Sequence, residues 1–285
     1  MLQESVQKFV QKNYEFATRA KIIASENGYS KENWELFAEL GWLTVPFCEE
    51  DGGFGGSAVD LTVMMDEFGK ANLVEPFTPT AILGGGLVSA LGEKGQKTEL
   101  LGPLMEGKLQ LACAYAETGS RFNLSNVTTT ATVEGDQVKL NGEKINVLNG
   151  SNADKLLLVA RESGAQTDRN GISIFLVDND SDGLSIQPYT NVDGKKAAQI
   201  SFASVSVPLS ARLGEAGGAL PALEAVIDRA TVAVSAEAVG ALEALLQKTV
   251  EYSKTRKQFG TPIGTFQALQ HRMADMFIEC QLARS

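Results

Sequence analysis

Between Ala222 and Arg256 the chain holds a single helix breaker, Gly240, and that unbroken stretch restricts the fold more than any other feature. So long a helix needs partners on several sides, and Leu223, Val226, Ile227, Val234, Leu242 and Leu246 are spaced to meet them. Gly260-Thr261-Pro262-Ile263-Gly264 then turns the chain, and a second helix is expected from near Thr265. Arg256, Lys257 and Gln258 fall at a helix C-terminus, where cations are favoured, and a planar guanidinium at such a corner suits a pyrophosphate. A plain helical hairpin with a basic turn accounts for the same residues.

Upstream, the apolar period changes twice. From Leu2 to Ala24, Val6, Phe9, Val10, Phe16 and Ala17 recur at helical spacing. Ser30 opens a second helix with Trp34, Phe37, Ala38 and Leu40 inward, and Gly41 ends it. The run Asp51-Gly52-Gly53-Phe54-Gly55-Gly56-Ser57 follows no clear strand and lacks the Lys-Ser/Thr ending of a P-loop, so turn geometry is its better account. Helices are expected from Ser57 to the Glu75-Pro76 break, over Ala81–Leu91 and over Thr98–Met105.

Near Leu109 the period becomes alternating. Strands are expected over 111–116, 128–134, 137–141, 144–148, 155–161, 171–177 and 198–207. After Gly214 the helical pattern returns, with Pro221 suited to a first turn. The fold class is therefore α+β multidomain. It comprises an N-terminal all-α domain over 1–109, a middle antiparallel β-barrel or sandwich over 110–215, and an incomplete C-terminal helical bundle over 216–285.

Composition narrows the function. A formal net charge of −10 repels phosphate polymers, which argues against nucleic acid and anionic membranes and leaves any anionic ligand needing a local basic site. No run is apolar enough for a membrane span, and the polar, amphipathic start at Leu2 does not read as a secretory leader. Cys48, Cys113 and Cys280 lie far apart without metal-ligand spacing, which fits free thiols in a reducing, cytoplasmic setting. His271 has no second histidine beside it, so no metal site is expected.

Tyr252 to Met276 contains R-K-x-F-G, then P-I-G-x-F-Q, then a helix carrying A-D-M, and closely resembles the signature of the acyl-CoA dehydrogenase family. Two further passages share the likeness, which spans nearly the whole chain: Leu40-Gly41-Trp42 with the glycine run after it, and Ala114-Tyr115-Ala116-Glu117-Thr118-Gly119-Ser120-Arg121-Phe122-Asn123-Leu124. The resemblance implies FAD as cofactor, an acyl-CoA substrate oxidised by α,β-dehydrogenation, electrons passed to an electron-transfer flavoprotein, and an obligatory homo- or hetero-oligomer. It implies that Arg256, Gln258, Phe259 and Gln267 reach FAD held mainly by a neighbouring subunit. Tyr115, Ala116, Gly119 and Ser120, together with Asn149, would line the flavin and its pyrophosphate. Asp228 falls at a position that touches CoA in the family, with Arg229 beside it, although an Asp-Arg pair on a long helix is as readily a solvated salt bridge.

Departures accompany the likeness. Phe122-Asn123 stands where most members have Ser-Asp, and Asn146-Val147-Leu148-Asn149-Gly150 replaces W-I-T-N-G, removing a flavin-packing Trp and a flavin-bonding Thr. With Asp193-Gly194 and Asp228-Arg229-Ala230-Thr231-Val232-Ala233, these features resemble the small-subunit branch typified by pimeloyl-CoA dehydrogenase and heteromeric steroid side-chain acyl-CoA dehydrogenases. That branch implies two unlike subunits sharing one flavin site. Members that carry the catalytic base on the long helix would place it at Ala230, which cannot accept a proton, and Glu224 and Glu237 read as surface charges, so no base is nominated. Family members continue through further helices beyond the point matching Ser285, so the resemblance implies a C-terminally truncated chain or a second polypeptide over that face.

Overall fold

The structure, a computed structural model, describes residues 2–285. Helices α1 (Leu2–Asn13), α2 (Phe16–Ala24), α3 (Lys31–Glu39) and α4 (Ala58–Ala71) come first. A π-helical segment, Thr78–Gly85, leads into α5 (Gly86–Leu91) and α6 (Lys94–Met105). Strands β1 (Leu111–Ala114), β2 (Thr130–Glu134), β3 (Gln137–Leu148), β4 (Lys155–Arg161), β5 (Ile172–Asp178), β6 (Leu184–Thr190), β7 (Lys196–Pro208) and β8 (Arg212–Leu213) follow. The long helix α7 (Leu220–Thr255), the two-residue strands β9 (Lys257–Gln258) and β10 (Thr261–Pro262), and α8 (Gln267–Arg284) close the chain. The expected succession of helices, sheet and helices is present.

The chain divides into two compact units, one holding residues up to 20 with 58–73 and 231–285, the other holding 21–57 and 74–230. In the first, α4 meets α7 backbone to backbone. A Cβ on Gly240 would lie 1.9 Å from the Asp66 carbonyl oxygen, and one on Gly69 would lie 1.8 Å from that of Glu237. The one breaker in the long helix is thus a packing residue, since only glycine permits that approach. Lys70 binds Asp66 and Glu67, both at 2.8 Å, while Arg284 reaches Asp66 and Glu243, both at 2.9 Å, so each of these three acids has a cation against it.

The single helix expected over Leu2–Ala24 is broken at Tyr14-Glu15. Tyr14 turns into the interior against Phe9, their ring centroids 6.4 Å apart, and Phe16 is left exposed. Packing of one aromatic has overridden a continuous helical pattern.

In the second unit the sheet has the order β6-β7-β3-β2-β4-β5-β8. Its core is formed by inward residues such as Val138, Leu140, Leu156, Leu158, Phe175, Ile200 and Val205. The pairings β2–β3, β3–β7, β4–β5, β5–β8 and β6–β7 are antiparallel as expected, whereas β1 runs parallel to β4, and Thr130 of β2 bridges Arg161 of β4 in parallel. One edge of β4 is therefore shared, with β1 along Lys155–Leu158 and β2 at Arg161, and the loop 115–129 joins those two partners. The separate strands expected over 137–141 and 144–148 are one strand, β3, whose register against β7 shifts at Leu140/Gly142 and at Lys144/Val147. Strand β6, not anticipated, pairs only with β7 and carries Pro188, as an edge strand can.

Candidate functional site

The loop after β1 is fixed by its own acid. Glu117 is 6 % exposed and turned inward, where its carboxylate accepts the Thr128 N–H at 2.7 Å, the Thr129 N–H at 3.0 Å, the Thr128 hydroxyl and the Lys144 ammonium at 2.7 Å. Lys144 is fully buried on β3, and its ammonium also reaches the Tyr115 carbonyl at 3.3 Å. The Ile145 N–H takes the Ala116 carbonyl at 2.9 Å, so two successive loop carbonyls are held by β3. Burial works against both charges. For Glu117 the opposing Lys144 charge and the hydrogen bonds win and hold its carboxyl down at about 2, whereas for Lys144 burial outweighs the pull of Glu117 and its pKa is lowered.

The far end of the loop is held by Arg161. This guanidinium is 7 % exposed and makes no ion pair among the described residues. It donates to the carbonyls of Ser125 at 2.8 Å, Gln166 at 3.0 Å and Asp168 at 2.9 Å through Nη2, and to Ser163 at 3.1 Å and Asn170 at 3.0 Å through Nη1. Burial pushes its pKa down, opposed by the nearby Asp168 and Glu117 charges.

Between these anchors the loop presents donors to solvent. Ser120 closes the first turn, its hydroxyl donating to the Glu117 carbonyl at 2.9 Å and accepting the Glu117 N–H at 3.1 Å. The backbone N–H groups of Thr118, Gly119, Arg121 and Phe122, all in exposed residues, have no partner among the described residues. A Cβ on Gly119 would meet nothing within 4 Å, so nothing in this chain blocks close approach to that backbone. Free N–H groups, an open glycine and no outward carboxylate make a surface complementary to a diphosphate, and this donor set fits FAD.

The other expected residues are placed as follows. Tyr115 and Ala116 are half-buried at the start of the loop. Asn149, 4 % exposed with φ 59°, spends its amide internally: Nδ2 donates to Gln110 Oε1 at 2.8 Å and Oδ1 accepts from Asn152 at 3.0 Å. Asn146, where the family pattern has Trp, is exposed with φ 48°, and its oxygen faces Asn191 at 3.3 Å. Asp228 is exposed, while the half-buried Arg229 donates to the Pro46 carbonyl at 2.7 Å, so the guanidinium is committed to the backbone. Ala230 is 7 % exposed, and Glu224 is bound to Arg169 at 2.7 Å.

In the other unit, β9 and β10 pair as a two-residue hairpin whose tip residues, Phe259 and Gly260, have φ of 53° and 79°. Paired positive φ values give the tight turn whose twist suits a hairpin. The Ile263 N–H donates to the Arg256 carbonyl at 2.8 Å, and the rings of Phe259 and Phe266 meet edge to face at 6.2 Å. The backbone is thereby fixed while Arg256, Gln258, Phe259 and Gln267 remain exposed, Phe259 by 93 %. The Arg256 guanidinium has no ion pair among the described residues.

Sequence reasoning missed Lys144, Arg161 and the inward turn of Glu117. One signal was readable: Lys144 occupies an inward position of a strand whose other inward residues, Val138, Leu140 and Val147, are apolar. Among the described residues no cluster of His, Cys, Asp and Glu could hold a metal, and no helix is long and apolar enough to cross a membrane.

Comparison with known proteins supplies the lineage. Residues 1–108, 112–205 and 217–285 match the models of the acyl-CoA dehydrogenase N-terminal, middle and C-terminal domains. The chain is 32% identical over 289 residues to "Probable acyl-CoA dehydrogenase YngJ" of Bacillus subtilis, covering 100% of this chain and 76% of that protein. It is 30% identical over 296 residues to the short-chain specific acyl-CoA dehydrogenase of Clostridium acetobutylicum, covering 99% and 76%. Among solved structures, one reported with the electron transferring flavoprotein of Acidaminococcus fermentans superimposes with a TM-score of 0.90 at 27% identity over 100% of this chain and 75% of that one. A variant of the Tcur3481-Tcur3483 steroid ACAD gives 0.85 at 29% identity over 98% and 73%, and the FAD complex of PigA gives 0.90 at 26% over 99% and 75%. The chain belongs to the acyl-CoA dehydrogenase family, whose members are flavoprotein oxidoreductases of fatty-acid metabolism.

Proposed function

We propose that this chain is an FAD-dependent acyl-CoA dehydrogenase that removes hydrogen from the α and β carbons of an acyl-CoA thioester and passes the electrons to an electron-transfer flavoprotein. The observation that carries the reading is the loop 115–129, with four outward N–H groups and its one carboxylate withdrawn onto Lys144. The bound FAD supplies the hydride acceptor for the β carbon. On the protein's side, Thr118, Gly119, Arg121 and Phe122 would bind its diphosphate through backbone N–H groups, and Tyr115, Ala116 and Ser120 shape that surface. From the other unit, Arg256, with Gln258, Phe259 and Gln267 around it, would reach a neighbouring protomer's cofactor, which makes an oligomer part of the site. Asp228 is the better placed of the two CoA candidates, because Arg229 is held by Pro46. Free Cys48, Cys113 and Cys280 accord with a reducing, cytoplasmic setting.

Anaerobic titration of the purified protein with straight-chain and branched acyl-CoA thioesters tests this reading. Bleaching of a flavin absorption band with formation of the enoyl-CoA is expected. A protein that takes up no FAD, alone or co-expressed with a second subunit, would exclude it.

A second reading is that this chain completes a partner subunit's flavin site without catalysing at its own. Alanine at 230, the commitment of Asn149 to Gln110 and Asn152, and the likeness to the steroid ACAD favour it. Finding FAD bound only to the second subunit of a purified mixed complex would select this reading.

A further inference from the structure

Lys144 is a costly residue where it sits. It is fully buried on an inward register of β3, opposite Ile200 on β7, in line with Val138 and Leu140. Burying an ammonium carries a desolvation penalty that an apolar side chain avoids, so sheet packing alone would favour valine or leucine there. Its hydrogen-bond partners both belong to one place, the Glu117 carboxylate at 2.7 Å and the Tyr115 carbonyl at 3.3 Å. Glu117 is the only carboxylate between Tyr115 and Thr129, and it stands one residue before the first of the four outward N–H groups. Facing a diphosphate, that carboxylate would oppose binding through like-charge repulsion.

We propose that Lys144 and Glu117 are positioning residues for the cofactor diphosphate: Lys144 draws the loop's only carboxylate inward and neutralises it, leaving a surface of N–H donors without an adjacent negative charge. The inference rests on reading the loop 115–129 as an FAD-binding segment. The remaining ionisable groups close to the pair are Arg161 from β4, Cys113 from β1 and Tyr115 on the loop itself. Burial pushes the Cys113 thiol up to about 12 and likewise raises Tyr115, so neither titrates between about pH 6 and about pH 8.5; burial lowers both Arg161 and Lys144, opposed at Lys144 by the Glu117 charge and at Arg161 by Asp168 and Glu117.

The test measures FAD affinity by flavin-fluorescence quenching at about pH 6 and about pH 8.5 for the wild-type oligomer, Lys144→Met and the double variant Lys144→Met/Glu117→Gln, with circular dichroism to confirm folding. In Lys144→Met the carboxyl of Glu117, buried without its counter-ion, is neutral at low pH and ionises as pH rises. FAD binding should therefore be at least about tenfold weaker at the higher pH. Wild type and the double variant should be flat, and the double variant should bind within about threefold of wild type, because both buried charges are gone together. A merely structural role for Lys144 predicts equal weakening at both pH values with no rescue, and that result would overturn the proposal while leaving the loop as the flavin site. Should Lys144→Met not fold, the double variant decides alone: flat, near-wild-type binding supports the proposal and a tenfold loss at both pH values overturns it. FAD binding wild type with no contribution from this loop would overturn both.

Discussion

Replacing Gly240 with alanine adds one methyl group at a point where the chain has no room for it. That Cβ would lie 1.9 Å from the Asp66 carbonyl oxygen and 2.8 Å from its carbonyl carbon. Ordinary carbon–oxygen contact needs roughly 3.2 Å, so α4 and α7 would have to separate by more than about 1 Å. The obstacle is backbone, with no rotamer to move aside. Overpacking of this kind costs up to about 3 kcal/mol, and the better helix propensity of alanine returns about 1, leaving a net loss of about 2 kcal/mol. Gly102 of α6 supplies the control, because a Cβ there meets nothing within 4 Å. Gly102→Ala should stabilise by up to about 1 kcal/mol. Urea unfolding followed by circular dichroism gives both numbers as shifts in midpoint at constant slope. Gly240→Ala as stable as wild type would refute the close crossing of α4 and α7.

Gly119→Val should leave unfolding within about 0.5 kcal/mol of wild type, since nothing stands near that Cβ, yet weaken FAD by about tenfold; equal affinity by fluorescence titration would remove the loop from the cofactor site. Arg256→Ala should likewise unfold as wild type does while releasing flavin during gel filtration, from every protomer of a homo-oligomer but only from partner sites in a mixed complex. Acid stability follows from Glu117, whose folded pKa of about 2 lies below the ordinary 4.5. A depressed carboxyl stabilises above the unfolded value, and its contribution, about 3 kcal/mol, is lost as pH falls from about 5 toward about 2. Glu117→Gln should flatten that part of the stability-against-pH curve, and urea melts at about pH 6 and about pH 3 check it.

The features legible in the sequence were those written locally. The long helix, the basic turn and the change of period near Leu109 each depend on residues within a few turns or one strand of one another. Strand β3 reads as two because Gly142-Glu143 interrupts the pattern, and the register shifts against β7 on either side of that pair are visible only with the partner strand in place. Edge strand β6 escaped because its apolar alternation is short: Leu184 and Ile186 turn inward, and from Pro188 on its residues are exposed. The break at Tyr14 depends on where one ring finds cover, which no helical pattern encodes. At the candidate site the basic turn is legible from its own residues, whereas the loop is found by resemblance. Lys144 was visible only as a charge out of place, and its partner lies 27 residues away.

Lys144 and Arg161 are both cations buried beside strands of the same sheet, and both are satisfied by the loop 115–129 or its neighbours in place of the sheet that houses them. A charge removed from water is stable only when its hydrogen-bond geometry is fully met, so each fixes its partners far more tightly than an apolar contact would. Lys144 fixes residues 115–117, and Arg161 fixes residue 125 together with 163–170. The span between, 118–124, is exposed along most of its length, yet its ends cannot drift, and Phe122, 100% exposed, is carried outward on it. Such an arrangement sets donor groups in place before a ligand arrives, so little ordering cost remains at binding. An apolar residue at 144 or 161 would avoid the desolvation cost but would leave the Glu117 carboxylate and the Ser125 carbonyl without these donors.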